Sequence, residues 1–106
     1  MSQDLIERDL KHLWHPCPQM KDYEDFRPEI ITKAEGSLLY REKGEPLIDM
    51  ISSWWCKSLG HRHPTILKSV YEQMEKFDHV ILANTTNSTI VQLAENLSQI
   101  HPDYQK

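Results

Sequence analysis

The chain has 106 residues, 39% hydrophobic and 26% charged, with a formal net charge of −4. This is an ordinary globular composition, which excludes a disordered or fibrous chain. The acidic balance, with no Lys/Arg cluster, argues against a nucleic-acid or anionic-membrane surface.

The apolar runs are a few residues long, too short to cross a bilayer. The start, MSQDLIERDLKHL, is acidic and amphipathic and lacks the basic end and apolar run of a secretion signal, so a cytoplasmic setting is expected. Two cysteines, Cys17 and Cys56, make no disulfide framework and are expected as thiols there.

Ile6, Leu10, Leu13 and Trp14 recur at helical spacing, which predicts a short amphipathic helix over residues 4–14, ended by Pro16 and Pro18. The polar stretch QMKDYEDFRP, residues 19–28, is expected to be an extended connection anchored by Tyr23 and Phe26, with no regular element. Short apolar clusters then predict strands at 30–33, 37–41 and 47–51, with turns at Gly36 and EKGEP. Tight connections make these an antiparallel meander. After HRHP, Ile66, Val70, Met74 and Phe77 share a helical stripe, and Pro64 sits where a first turn tolerates a missing N–H. A short apolar segment, HVILA, is followed by NTTNS, whose Asn and Ser residues suit a helix cap. The next helix buries Ile90, Leu93, Ala94, Leu97 and Ile100 and stops at His101–Pro102.

The expected fold class is therefore α+β: an N-terminal helix, a three-stranded antiparallel meander and two helices. Three short strands cannot cover both helical stripes. The chain is expected either to associate with other copies or to be one piece of something larger.

Four groups of residues carry possible chemistry. His12, His15 and Cys17, with Cys56, His61 and His63, offer imidazole and thiol ligands, but their irregular gaps are unlike the paired short spacings of structural zinc sites. Packed or surface histidines are the expectation. Cys56 has Lys57 beside it, which could depress a thiol pKa, yet sequence neighbours often point apart, and a buried structural cysteine is favoured. If residues 47–55 are extended, Trp54 and Trp55 project to opposite sides. One ring is then structural and the other a candidate ligand-facing wall, with two packing residues as the equal alternative. Asp49, among apolar neighbours, is either a buried acid with a role or, more commonly, a solvent-facing residue on the polar side of its strand. No Gly-rich phosphate loop occurs, nor a Ser-His-Asp arrangement that spacing supports.

At these residues a resemblance emerges. HLWHP followed by Met20, AEGSLLYREKGEPLID, SSWW, GHRHP and HVILANTTNSTIVQLAENL together resemble the N-terminal signatures of the adenosylmethionine 8-amino-7-oxononanoate aminotransferases, the 7,8-diaminononanoate synthases of biotin biosynthesis. These belong to the class III aminotransferases, which depend on pyridoxal 5'-phosphate and have fold type I. The match runs in order along most of the chain, and WHP and SSWW are its narrow parts.

The resemblance implies that Trp54, first tryptophan of SSWW, lines the pocket of the amino-acceptor substrate as a flat apolar wall. The family's tyrosine after WHP, which helps recognise the keto substrate and stacks on the adenine of the donor, is here Cys17. That departure removes a ring and a hydroxyl. Trp14, His15 and Pro16 match the motif and are given a structural role only.

The resemblance also implies that residues 1–64 form the N-terminal part of a small domain and 65–106 the helices leading into a large cofactor domain. The phosphate cradle, the aspartate on the pyridinium nitrogen, the Schiff-base lysine and the carboxylate-binding arginine would lie outside the 106 residues. No catalytic, cofactor-binding or metal-binding residue is assigned within the chain. The intact enzyme would move an amino group from S-adenosylmethionine to 8-amino-7-oxononanoate, as a homodimer, and the 106 residues alone would be inactive. The alternatives are another class III enzyme using lysine or an ω-amino donor, mildly favoured by Cys17, and a non-catalytic interaction module.

Overall fold

The computed structural model describes residues 2–101 and 103. Helix α1, Ser2–His12, carries Asp4 in its first turn and Lys11 and His12 in its last, each placed to suit the helix dipole. A single 3-10 helix follows at Met20–Glu24, inside the stretch expected to be irregular. Its cause is local: Asp22 closes the turn by donating its N–H to the Gln19 carbonyl at 2.9 Å, and its carboxylate accepts the Gln19 N–H at 3.3 Å.

The meander is β1 (Ile31–Glu35), β2 (Leu38–Arg41) and β3 (Leu47–Ile48), antiparallel in the order β1-β2-β3. Ile31 pairs with Arg41 and Lys33 with Tyr40, so the register slips at Thr32, whose hydroxyl donates to the Tyr40 carbonyl at 3.2 Å. Leu38 faces Ile48 and Leu39 faces Leu47. Arg41 fastens the β2–β3 turn by donating Nε to the Glu45 carbonyl at 2.8 Å and reaches Glu29 at 3.1 Å. The third strand is shorter than the expected 47–51, because the chain turns out of the sheet after Ile48.

Helix α2, Ser52–Trp55, is a four-residue turn taken up below. Helix α3, Pro64–Met74, begins at the expected proline, and α4, Ser88–Ile100, is capped by Asn87, whose side chain accepts the Ile90 N–H at 3.0 Å. HVILA forms no strand. Of the expected stop, His101 is extended, as a residue before proline should be, while Pro102 lies outside the described residues.

Contacts divide the chain into two compact units, Met1–Ser69 and Val70–Lys106. In the first, α1 faces the approach to β1 across a cavity of about 270 Å³ lined by Leu5, Ile6, Asp9, His15, Pro28 and Ile30. In the second, Thr89 of α4 donates its hydroxyl to the Gln73 side chain of α3 at 3.1 Å. Among the described residues none is buried as a whole, and Ile66, Val70 and Met74 on α3 and Leu93, Leu97 and Ile100 on α4 stand exposed. The helical stripes are real, and uncovered.

Replacing Asn87 with Ala removes the side-chain partner of the Ile90 N–H and should cost α4 about 1 kcal/mol. Amide exchange at residues 88–91 measures this: Asn87→Ala should speed it severalfold and Asn87→Ser should not. Equal exchange in all three would contradict the cap.

Candidate functional site

The tryptophan pair does not sit on a strand. Ser52, Ser53, Trp54 and Trp55 all have positive φ, at 50°, 44°, 65° and 65°. With ψ of 53° at Ser53 and 50° at Trp54, α2 is a turn of left-handed helix. The expected alternation of the two rings to opposite faces of an extended segment is therefore corrected. For L-residues this conformation crowds Cβ against the following carbonyl, at about 1–2 kcal/mol per residue, and it normally occurs one residue at a time. Four in succession carry a strain of roughly 4–8 kcal/mol, and no glycine relieves it.

What opposes the strain is a carboxylate. Asp49 Oδ1 accepts the Ser53 N–H at 3.0 Å, and Oδ2 accepts the Ser53 hydroxyl at 2.8 Å and His61 Nε2 at 2.7 Å. The Asp49 side chain is 4% exposed and that of His61 11%. Asp49 is thus the enclosed acid, not the solvent-facing one. The Ser53 N–H, His61 and the Ser53 hydroxyl hold its pKa down to about 2. Backbone bonds complete the turn, Trp55 N–H to the Ile51 carbonyl at 2.9 Å and Lys57 N–H to the Ser52 carbonyl at 3.0 Å.

His61 is itself held by the sheet. Gly36 and His61 exchange both backbone hydrogen bonds, at 3.0 and 2.7 Å, which fastens the GHR segment to the β1–β2 turn. The approach depends on the glycine at 60, while Gly36 supplies the positive φ of the turn, at +56°. Gly60 has φ +81°, and a Cβ there would lie 3.1 Å from the Gly36 carbonyl oxygen.

Serine, histidine and aspartate meet here without forming a nucleophilic triad. That chemistry needs the carboxylate on one imidazole nitrogen and the hydroxyl on the other. Here both approach Nε2, the carboxylate at 2.7 Å and Ser53 Oγ at 3.4 Å, and the hydroxyl gives its proton to Asp49. The cluster holds shape.

Trp54 is 49% exposed and Trp55 82% exposed. Of the two, Trp54 is therefore the more covered. Cys17 lies in another loop, with φ 76° between two prolines, and its free thiol is exposed. Beside it His15 is bonded to Asp9 of α1 at 2.6 Å, and its ring lies 4.9 Å from that of Tyr23. The WHP loop is thus anchored to α1, while no hydrogen bond among the described residues joins Cys17 to Trp54. Cys56 is exposed, which corrects the expected buried cysteine, and its thiol donates to the Trp54 carbonyl at 3.4 Å. A cavity of about 240 Å³ follows, lined by Cys56, Leu59, Arg62, His63, Ile66 and Leu67, where His63 Nδ1 is enclosed without a partner. Among the described residues no group of three or more His, Cys, Asp or Glu could hold a metal.

The Asp49–Ser53–His61 cluster was missed from sequence. An Asp with a serine four residues on is a local capping signal. His61, twelve positions away, is delivered only by the Gly36 bridge.

Two outcomes follow. Gly60→Ala should destabilise the first unit by roughly 1–3 kcal/mol, read in urea from the indole signal, and an unchanged midpoint would contradict the glycine contact. Because the folded pKa of Asp49 lies near 2, below the ordinary 3.8, its stabilisation is complete above about pH 5 and lost as pH falls through 4 toward 2. The stability gap between wild type and Asp49→Ala should therefore be constant above about pH 5 and shrink as pH falls through 4 toward 2. A gap that does not change over that range would contradict an ionised Asp49.

The class III aminotransferase family profile matches residues 20–106. The adenosylmethionine-8-amino-7-oxononanoate aminotransferase of Helicobacter pylori is 36% identical over 98 residues, covering 92% of this chain and 22% of its own length. The crystal structure of the enzyme of that name from Methanocaldococcus jannaschii superposes with a TM-score of 0.86 at 32% identity, over 94% of this chain and 23% of that one. The omega transaminase of Pseudomonas jessenii in complex with PMP superposes with a TM-score of 0.81 at 23% identity, over 92% of this chain and 22% of that one, which shows the fold alone. The 106 residues thus span about a fifth of the length of these relatives, and their fold is the N-terminal part of the fold-type I chain.

A pyridoxal group needs a phosphate cradle, a Schiff-base lysine and a carboxylate for its ring nitrogen. Among the described residues Asp49 is committed to Ser53 and His61, and Lys33 is paired with Glu35 at 2.5 Å, so neither is placed for those roles. A profile match over residues 20–106 and a matching backbone place the segment that holds the sheet and both later helices in one family. This chain belongs to the class III aminotransferases.

Proposed function

We propose that this chain is the N-terminal part of an enzyme that transfers an amino group from S-adenosylmethionine to 8-amino-7-oxononanoate, giving 7,8-diaminononanoate for biotin. The observation that carries the reading is the coincidence of WHP and SSWW with 36% identity to a relative named for that reaction. In this reading residues 1–64 belong to the small domain and 65–106 lead into the large one. The whole enzyme works as a homodimer in the cytoplasm.

Pyridoxal 5'-phosphate, held by residues outside this chain, supplies the electron sink. The chain's own contribution is shape. Trp54 offers a flat apolar face to the aliphatic chain of the keto substrate and limits where its reacting carbon sits. Cys17, where the family carries tyrosine, borders the same substrate and leaves the donor's adenine without a stacking ring. The uncovered stripes of α3 and α4 support a larger protein, whose remaining segments cover them. The 106 residues alone form no product.

A chimera carrying this chain in place of the matched segment of the Methanocaldococcus jannaschii enzyme tests the reading. It should make 7,8-diaminononanoate with S-adenosylmethionine, and Trp54→Ala should raise KM for the keto substrate roughly ten- to a hundredfold with kcat less affected. Cys17→Tyr should lower KM for S-adenosylmethionine. Turnover with lysine and none with S-adenosylmethionine would instead favour a different class III enzyme, the reading that Cys17 supports.

A further inference from the structure

We propose that Asp49 is the positioning residue for Trp54: through Ser53 and His61 it holds the left-handed turn that presents the indole. The proposal rests on the reading of Trp54 as a substrate wall. It adds a residue that touches no substrate.

Three observations carry it. The backbone of Ser52–Trp55 is in a conformation that these residues do not hold unaided. Both polar groups of Ser53, second residue of that turn and neighbour of Trp54, end on the Asp49 carboxylate, at 3.0 and 2.8 Å. The same carboxylate takes His61 at 2.7 Å, and His61 is tied by its backbone to Gly36 of the hairpin. The sheet is therefore connected to the indole through one side chain. If Asp49 lets go, the Ser53 N–H and hydroxyl both lose that acceptor and the turn can relax to negative φ. Trp54 then leaves its half-exposed position.

The proposal makes glycine a specific remedy. Glycine takes positive φ without steric cost, so at position 53 it lessens the need for the carboxylate. A general loss of fold would not respond.

The test reads Trp54 spectroscopically as the sole indole of the 106-residue chain (Trp14→Phe, Trp55→Phe) and kinetically in the chimera. Trp54 is 49% exposed, so its release by Asp49→Ala should raise acrylamide quenching roughly twofold and weaken its near-ultraviolet circular dichroism. Amide exchange across β1 and β2 should stay unchanged. Adding Ser53→Gly to Asp49→Ala should restore most of the signal. In the chimera, Asp49→Ala should raise KM for the keto substrate as Trp54→Ala does, and the double variant should be no worse than Trp54→Ala alone. Unchanged quenching in Asp49→Ala, no rescue by glycine, or additive effects on KM would each overturn the proposal. If Trp54→Ala leaves KM unchanged, the substrate-wall reading fails, while quenching and rescue still decide whether Asp49 positions the ring.

Discussion

The first unit depends on a carboxylate working against its own backbone. Four consecutive residues without a glycine are wound the wrong way, and each alone would relax to a right-handed or extended form. Asp49 opposes this because an ionised carboxylate offers several acceptor sites, and three are filled, two by Ser53 of the left-handed turn and one by His61, which the Gly36 bridge delivers. The result is a tryptophan fixed at a sharp corner just beyond β3, half exposed. Strain of this kind persists only where its surroundings over-determine it, which gives the SSWW segment its physical meaning.

Much of the framework was legible in the residues. Pro64 and Asn87 mark helix starts because each acts locally, through a missing N–H or a capping oxygen. The strands and their turns were equally readable, apart from the third strand, which ends early because the chain enters the strained turn. Reading 47–55 as extended failed first after Ile48, where the chain turns, and then at Ser52, since no serine or tryptophan announces positive φ by its type. The 3-10 turn at Met20–Glu24 was hidden for a milder reason: a single Asp22 closure inside polar sequence carries no periodicity. Cys56 looked like a core residue and is exposed.

The chemistry was less legible than the framework. Spacing offers no reason to join Asp49 to His61, and the joint exists because the missing side chain of Gly60 lets the backbones at 36 and 61 approach. Resemblance singled out the indole, and geometry supplies what holds it. The apolar faces of α3 and α4 complete the picture: helices with good stripes and no cover are stable mainly through tertiary packing, so they call for partner surface. The chain spans about a fifth of its relatives' length.

The most direct measurement is the sign of φ at Ser53 and Trp54 in solution, read from one-bond Cα–Hα couplings in the labelled chain at neutral pH. Positive φ at both residues, together with a slowly exchanging Ser53 amide, is what a carboxylate-held left-handed turn requires. Negative φ at either, with that amide exchanging freely, would contradict it.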